Sequence, residues 1–194
     1  MKILKMKKNI TVLLVMICML LFNAKEAYMS GAAWVELTLD KVIGNSDVIA
    51  IVKKSQPPFI IEEVPVDKDQ KKFPPFKKQV SLFEIVDILY ANDNALQGTF
   101  SENVSLPPGS TIKVLQAGYD KKLNLHKRYY LEGAMKTIGI DHYKGYDTKL
   151  EKSKERIVFL RYNQNEKMLE FTADGSIEAV NKKDEIIKYL NSPR

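Results

Sequence analysis

Apolar residues recur along the chain in short blocks that have the length of β-strands. A continuous β-branched run at 47–53 (DVIAIVK) predicts a strand that is buried on both faces. Three further blocks, at 80–90 (VSLFEIVDILY), 111–115 (TIKVL) and 156–160 (RIVFL), are typical of strands in a packed sheet. This pattern predicts a mainly β domain.

Turn residues separate these blocks. The sequence PPGS at 107–110 predicts a tight turn, with a short strand at 104–106 before it. Near the C-terminus, residues 168–171 and 176–180 predict a hairpin around Asp174-Gly175, a residue pair that is favoured in two-residue turns.

Two short helices are predicted at the ends of the β region. The first begins after Thr38, whose hydroxyl is suited to capping the first turn, and stops at Gly44-Asn45. The second covers 182–190 behind Asn181 and has one apolar stripe. About six strands between two short helices predict a small antiparallel barrel.

The segment 55–79 departs from the strand pattern. It contains five of the eight prolines and the charge run DKDQKK at 67–72. Because proline fixes φ and removes a ladder donor, we expect a long extended loop outside the core. Loops of this length are usually mobile or functional, so the segment either moves freely or contacts a partner through Phe59, Phe73 and Phe76.

A second unusual segment, 118–154, is rich in tyrosine and lysine and holds both histidines. Residues 128–131 (RYYL) predict a strand within it, and 149–155 (KLEKSKE) a solvated charge run. Its tyrosines, Tyr129 and Tyr143 among them, either belong to the barrel wall or contact a partner.

The N-terminus has the pattern of an export signal. A leader with four lysines precedes a 13-residue apolar run from Ile10 to Phe22, which is too short to span a bilayer comfortably. We therefore predict a signal peptide at 1–27, cleaved after Ala24 or Ala27, and a mature domain at 28–194. Two alternatives are an uncleaved anchor and a lipoprotein acylated at Cys18, which the bulky Ile17 before it disfavours.

Removal of this leader changes the charge of the protein. The whole chain has 30 basic and 24 acidic residues, but residues 1–27 hold five of the former and one of the latter, which leaves 25 against 23 and a net charge of +2. The only cysteine leaves as well. A nearly neutral exported domain has no strong phosphate field, so we expect no nucleic acid partner and only a transient membrane contact through the signal peptide.

The segments that carry the strand pattern resemble a group of exported bacterial domains. The similarity rests on 39–43 (LDKVI) followed by 46–49 (SDVI), on 83–89 (FEIVDIL), on 108–114 (PGSTIKV) and on 155–160 (ERIVFL). Such domains look like the oligonucleotide-binding (OB) type of barrel that is related to netrin modules and tissue inhibitors of metalloproteinases. The resemblance covers about residues 37–160 and implies the fold and export.

The chain departs from that group at two places. Tyr90-Ala91-Asn92 stands where the group often has Lys-Gly. The metalloproteinase inhibitors also chelate zinc through an N-terminal cysteine, which the mature chain lacks. The resemblance therefore implies no site residue and no inhibition by that mechanism.

No catalytic motif accompanies the two histidines, His126 and His142. A hydrolase needs a nucleophile beside its base, and zinc usually needs three or four protein ligands, so we expect neither a cofactor nor a metal. Our leading hypothesis is a non-enzymatic binding module of the bacterial envelope, periplasmic or secreted, whose partner is a protein or a small ligand. The alternatives are a small secreted hydrolase or metal-dependent enzyme using His126, His142 and nearby acids, and a periplasmic inhibitor that inserts the loop at 55–79 into an enzyme.

Overall fold

A computed structural model describes residues 32–67, 72–92, 106–133, 138–144 and 155–192. Several of the sequence predictions lie outside these residues: the signal peptide with its cleavage sites, the alternatives at Cys18, nearly all of the charge run at 149–155 and most of the short strand at 104–106.

The described residues form a mainly β structure with short helices, as the apolar pattern predicts. The strands are β1 (Ala32–Leu37), β2 (Val48–Val64), β3 (Phe76–Ala91), β4 (Thr111–Leu115), β5 (Ile138–Tyr143), β6 (Glu155–Asn163), β7 (Met168–Phe171) and β8 (Ile177–Ala179). The helices are α1 (Leu39–Gly44), α2 (Tyr119–Glu132) and α3 (Lys183–Leu190), and a 3-10 turn (Val180–Lys182) precedes α3.

Five strands pair in a circuit that returns to its start. β2 pairs with β3, β3 with β4, β7 with β6, and β6 again with β2, all antiparallel. The circuit is completed by β4 and β7, which are parallel and pair only at Val114↔Leu169 and Leu115↔Glu170. β1 and β5 form a separate parallel pair, attached through a bridge between His142 and Asp174.

Alternate residues of β2 and β6 enter two different apolar cores. Val48, Ala50 and Val52 pack inside the circuit with residues of β3, β4, β6 and β7. Ile49 and Ile51 point the other way, into a second core with residues of α1, β5, β6 and α3. The prediction that 47–53 forms a strand buried on both faces is confirmed.

The prediction of an extended loop at 55–79 is wrong for most of its length. β2 continues through the two prolines to Val64, and β3 begins at Phe76, so that the two strands form a long hairpin. Pro57 and Pro58 lie at the register shift between Gln56 and Phe59. A bulge leaves residues without a ladder partner, which is why two prolines are tolerated there. We call residues 56–64 and 76–80 the hairpin arm.

Three smaller predictions also need correction. The strand expected at 128–131 is the last part of helix α2. β7 and β8 do not form a hairpin with each other, because both pair with β6, at 160–163 and 156–158 respectively. Thr38 precedes α1 as expected, but its hydroxyl donates to the carboxylate of Asp40 and does not cap the helix; this bond lowers the pKa of Asp40.

Candidate interaction surface

The outer edge of the hairpin arm carries three consecutive exposed apolar side chains, whereas the other large exposed apolar residues of the described structure occur singly. β2 pairs with β6 only from Val48 to Lys53, and in the described residues its continuation pairs with β3 alone. Phe59, Ile60 and Ile61 follow one another on this edge and are 36%, 43% and 41% exposed. A sheet edge of this kind offers main-chain donors and acceptors together with apolar side chains, which is how strand-adding partners are recognised.

Both faces of the arm carry part of this apolar run. Residues that lie opposite each other in antiparallel strands share a face. Phe59 lies opposite Val80, and Ile60 opposite Gln79, so their side chains lie on opposite faces. Ile61 lies within the register shift between Ile60 and Glu62.

The charges of the arm are balanced across the hairpin. Glu63 lies opposite Lys77, and Glu62 lies opposite Lys78, whose Nζ is 3.3 Å from a Glu62 carboxylate oxygen. Beyond the apolar run, therefore, the arm presents paired opposite charges and no strong field of one sign.

Lys78 ties the base of the arm to the turn between β6 and β7. Its side chain is buried, ion-paired with Glu166 as well as Glu62, and its Nζ lies 5.5 Å from the centre of the Tyr119 ring. Burial by itself would lower the pKa of Lys78, but the hydrogen bonds and charges of Glu166 and Glu62 outweigh it and raise the pKa. Burial, followed by the same two carboxylates, raises the pKa of Tyr119.

An aromatic cluster fixes the start of β3 against α2. Phe76 makes edge contacts with Tyr119 and His126, at centroid distances of 5.7 and 5.4 Å, and Phe73 lies 5.4 Å from Tyr130. The Nε2 atom of His126 is 2.9 Å from the carbonyl oxygen of Pro74. Phe73 and Phe76, which the sequence analysis named as partner contacts in one of its two alternatives, thus pack within the chain.

The other predicted contacts are divided between surface and core. Phe59 is on the exposed edge, and Tyr129 packs edge-on against Tyr130 at 4.8 Å. Tyr143 is only 7% exposed and donates its hydroxyl to the Glu178 carboxylate at 2.5 Å, so a partner contact through Tyr143 is corrected to a core role. Burial, and then this hydrogen bond, raises the pKa of Tyr143.

The two histidines belong to different elements with different contacts. His126 lies on α2 in the aromatic cluster, whereas His142 lies on β5 beside Asp174. Asp174 itself holds Lys122 at 2.9 Å through both carboxylate oxygens. Within the described ranges, no group of three or more histidine, cysteine, aspartate or glutamate side chains is placed to hold a metal ion.

Sequence reasoning did not find a cleft between β4 and β7. The two strands diverge before their short parallel pairing, and the space between them has a volume of about 490 Å³. Its walls are formed by Thr111, Ile112, Lys113 and residues 166–169. A second pocket of about 230 Å³ lies between the arm and the segment that connects β7 to β8. Such clefts arise from strands that are distant in sequence, so no local pattern predicts them.

A comparison with models of known protein families finds no match, and a comparison with curated proteins finds none either. Among the described helices, none has the length and apolar character needed to cross a membrane.

Proposed function

We propose that this protein is an exported, non-enzymatic interaction module that binds a protein partner through its hairpin arm. The observation that carries the proposal is the run Phe59-Ile60-Ile61, exposed on a strand edge that pairs on one side only within the described residues. Large apolar side chains in a row on a surface mark interaction sites.

The scaffold of this module is proposed to be an OB-type barrel of the kind found in netrin modules and metalloproteinase inhibitors. Three features support it. The first is the five-strand circuit, the second is the parallel pairing of β4 with β7, and the third is helix α2, which lies between β4 and β6 in the chain. In such a barrel, the first two strands are free to extend beyond the wall as an arm.

Export is proposed from the N-terminal leader, and it sets the kind of partner. An exported domain meets other proteins of the envelope or its surroundings, and an arm that enters the active site of an enzyme would make the module an inhibitor. Both forms of the proposal use the same residues of the arm.

Photo-crosslinking in living cells tests the proposal. A benzophenone amino acid replaces Phe59 or Ile61 in two variants, and Val35, which is 46% exposed on β1, in a matched control. We expect protein adducts from the two arm positions and none from Val35, and mass spectrometry of the adduct identifies the partner. Equal adducts at all three positions, or none at the arm, would overturn the proposal.

The cleft between β4 and β7 supports a second candidate function, the binding of a small ligand. Its volume of about 490 Å³ lies within the range of ordinary ligand pockets, and its walls combine Ile112, Met168 and Leu169 with the polar Thr111 and Lys113. The test is a thermal-shift screen of small molecules against the wild type and Met168→Trp, which fills the cleft. A ligand that stabilises both proteins equally would rule out this site.

A further inference from the structure

We propose that the cleft between β4 and β7 binds the C-terminus of an extended peptide, which adds as a short strand to the edge of β4. This inference rests on the second candidate function and deepens it, because it names the chemical class of the ligand of the same cleft. Three features of the cleft carry it: an open strand edge, a closed end and the charge of the walls.

The pairing of β4 with β3 fixes the direction of the backbone groups of β4. Bonded and non-bonded pairs alternate along an antiparallel ladder, and this ladder runs without a register shift. Just beyond one end of it, the Gln116 N–H donates to the Gln79 carbonyl at 3.1 Å. Just beyond the other end, the Ile85 N–H donates to the Ser110 carbonyl at 2.9 Å. Both bonds use an even-numbered residue on the side of β4, so the even-numbered residues of β4 bond to β3.

The odd-numbered residues at the start of β4 face the cleft with their backbone. Thr111 and Lys113 direct their N–H and C=O groups away from β3 and toward β7, because these groups alternate in direction along a strand. β7 pairs with β4 only at Val114↔Leu169 and Leu115↔Glu170, which engages no group of Thr111 and at most the carbonyl of Lys113. Residues 111–113 therefore offer a template for about three residues of an added strand, roughly 10 Å long.

The cleft is closed at one end. β4 and β7 join where Val114 pairs with Leu169, so a chain that enters beside Thr111 ends beside Lys113. A strand that continued through the cleft would have to break this pairing. The cleft therefore fits the end of a chain, and a C-terminal end would run parallel to β4, as β7 does.

The charge of the walls favours a C-terminus over an N-terminus. Lys113 makes no ion pair with the other residues that the structure describes, whereas the wall residue Glu166 is ion-paired with Lys78. Lys167 adds a second positive charge on the opposite wall. A terminal carboxylate beside Lys113 is stabilised by its ammonium group and its backbone N–H, whereas a terminal ammonium is repelled.

The side chains around the cleft indicate the composition of the peptide. Ile112 and Leu169 belong to the core inside the circuit, and Met168 packs on the outer side with the cluster around Leu115. Alternate side chains of an added strand meet these two sides. We therefore expect apolar and β-branched residues at the end of the peptide.

A peptide array tests the inference. It carries hexapeptides whose last three positions vary among apolar residues, each made with a free C-terminal carboxylate and with a C-terminal amide. The full chain is applied as the wild type, as Lys113→Met and as the control Lys77→Met, which removes an exposed lysine of the arm. We expect the wild type and the control to bind a subset of the free-carboxylate peptides. The amides, and the Lys113→Met variant, should each lower the affinity at least about tenfold.

Methylated peptides test the backbone pairing independently of the charge. In the peptide that binds most tightly, each amide nitrogen is methylated in turn, which removes one donor and keeps the carboxylate. Because an added strand bonds to its neighbour through alternate residues, we expect large losses of affinity at alternate positions only. Affinities that are the same at every position would contradict strand addition and overturn the inference.

The outcomes separate this inference from the proposed functions. The inference is overturned if no peptide binds, if carboxylates and amides bind equally, or if Lys77→Met loses as much affinity as Lys113→Met. A small molecule that stabilises the wild type but not Met168→Trp would then uphold ligand binding by the cleft and exclude only the peptide. Photo-adducts from Phe59 report on the hairpin arm and decide the leading function in either case.

Discussion

At the scale of single residues, Gly175 is held by the backbone of a neighbouring strand. Its φ is +76°, and a Cβ added there would lie 2.5 Å from the carbonyl oxygen of Tyr143. β5 also bonds to the adjacent residue, with the Tyr143 N–H donating to the Asp174 carbonyl at 2.8 Å. Gly175 therefore has two reasons to be glycine: its left-handed conformation and the close approach of β5.

Gly109 provides a control with only the first of these reasons. Its φ is +86°, and nothing lies within 4 Å of an added Cβ. We expect Gly109→Ala to cost about 1–2 kcal/mol of unfolding free energy, and Gly175→Ala to cost a further ~1–3 kcal/mol because a backbone oxygen must move. Urea unfolding measures both, and equal losses would contradict the close approach of β5.

Lys78 is a residue whose removal leaves a carboxylate without its partner. Lys78→Met retains the apolar stem but deprives the half-buried Glu166 of its ammonium, so we expect a loss of about 1–3 kcal/mol in the free energy of unfolding. Lys77→Met, on the neighbouring exposed residue, is the control, with an expected change within about 0.5 kcal/mol.

The pH dependence of this loss has a definite sign. The pKa of Lys78 is raised in the folded state above its ordinary value of 10.5, so its contribution is fully present below pH 10.5 and disappears as the pH rises through the raised pKa. The stability difference between wild type and Lys78→Met should therefore be constant from neutral pH to about 10 and shrink above it. A difference that grows in alkaline solution would exclude the ion pair as its source.

At the scale of elements, the aromatic cluster is what joins the hairpin arm to α2. Phe76→Ala removes the ring between Tyr119 and His126, and we expect a loss of about 2 kcal/mol, roughly half the cost for a fully buried phenylalanine. Phe59→Ala, on the exposed edge, should cost under about 1 kcal/mol. The amides of α2 should exchange faster in Phe76→Ala but not in Phe59→Ala. Unchanged exchange rates in α2 would disprove the coupling.

The elements also differ in how well their sequences predict them. β2 and β6 have β-branched runs because both of their faces enter a core, and this requirement is visible in the sequence. Helix α2 was missed because its inner stripe is unusual: Tyr119, Leu123, His126 and Tyr130 have helical spacing, but three of the four are polar-tipped rings. Attention to that spacing, irrespective of polarity, would have predicted the helix.

The hairpin arm was missed for a different physical reason. Two adjacent prolines contradict a regular ladder, and only the register of the partner strand shows that they fall in a bulge. A partner contact through Phe59 requires an exposed side chain, and Phe59 is exposed. Phe73 and Phe76 pack against residues of α2, and the sequence pattern did not identify α2 as a helix. The sequence therefore predicted the exposed part of the site, but not the part that depends on the bulge in β2 and on helix α2.

At the scale of the whole molecule, β2 and β6 make the two cores a single cooperative unit. Leu160 is in the core inside the circuit and Ile49 in the core beneath α1 and α3, yet they belong to strands that pair directly. Loss of either core exposes the reverse face of the same two strands. Neither core is therefore expected to persist when the other unfolds.

Two substitutions test this cooperativity. Ile49→Ala and Leu160→Ala should each reduce the free energy of unfolding by about 2–5 kcal/mol, because both side chains are fully buried. Both should shift one transition, seen at the same urea concentration by circular dichroism and by hydrogen exchange of amides in β2 and β6. If Ile49→Ala instead produces an early transition that leaves the amides beside Leu160 protected, the cores unfold separately, and the five-strand circuit is stable without its helical cover.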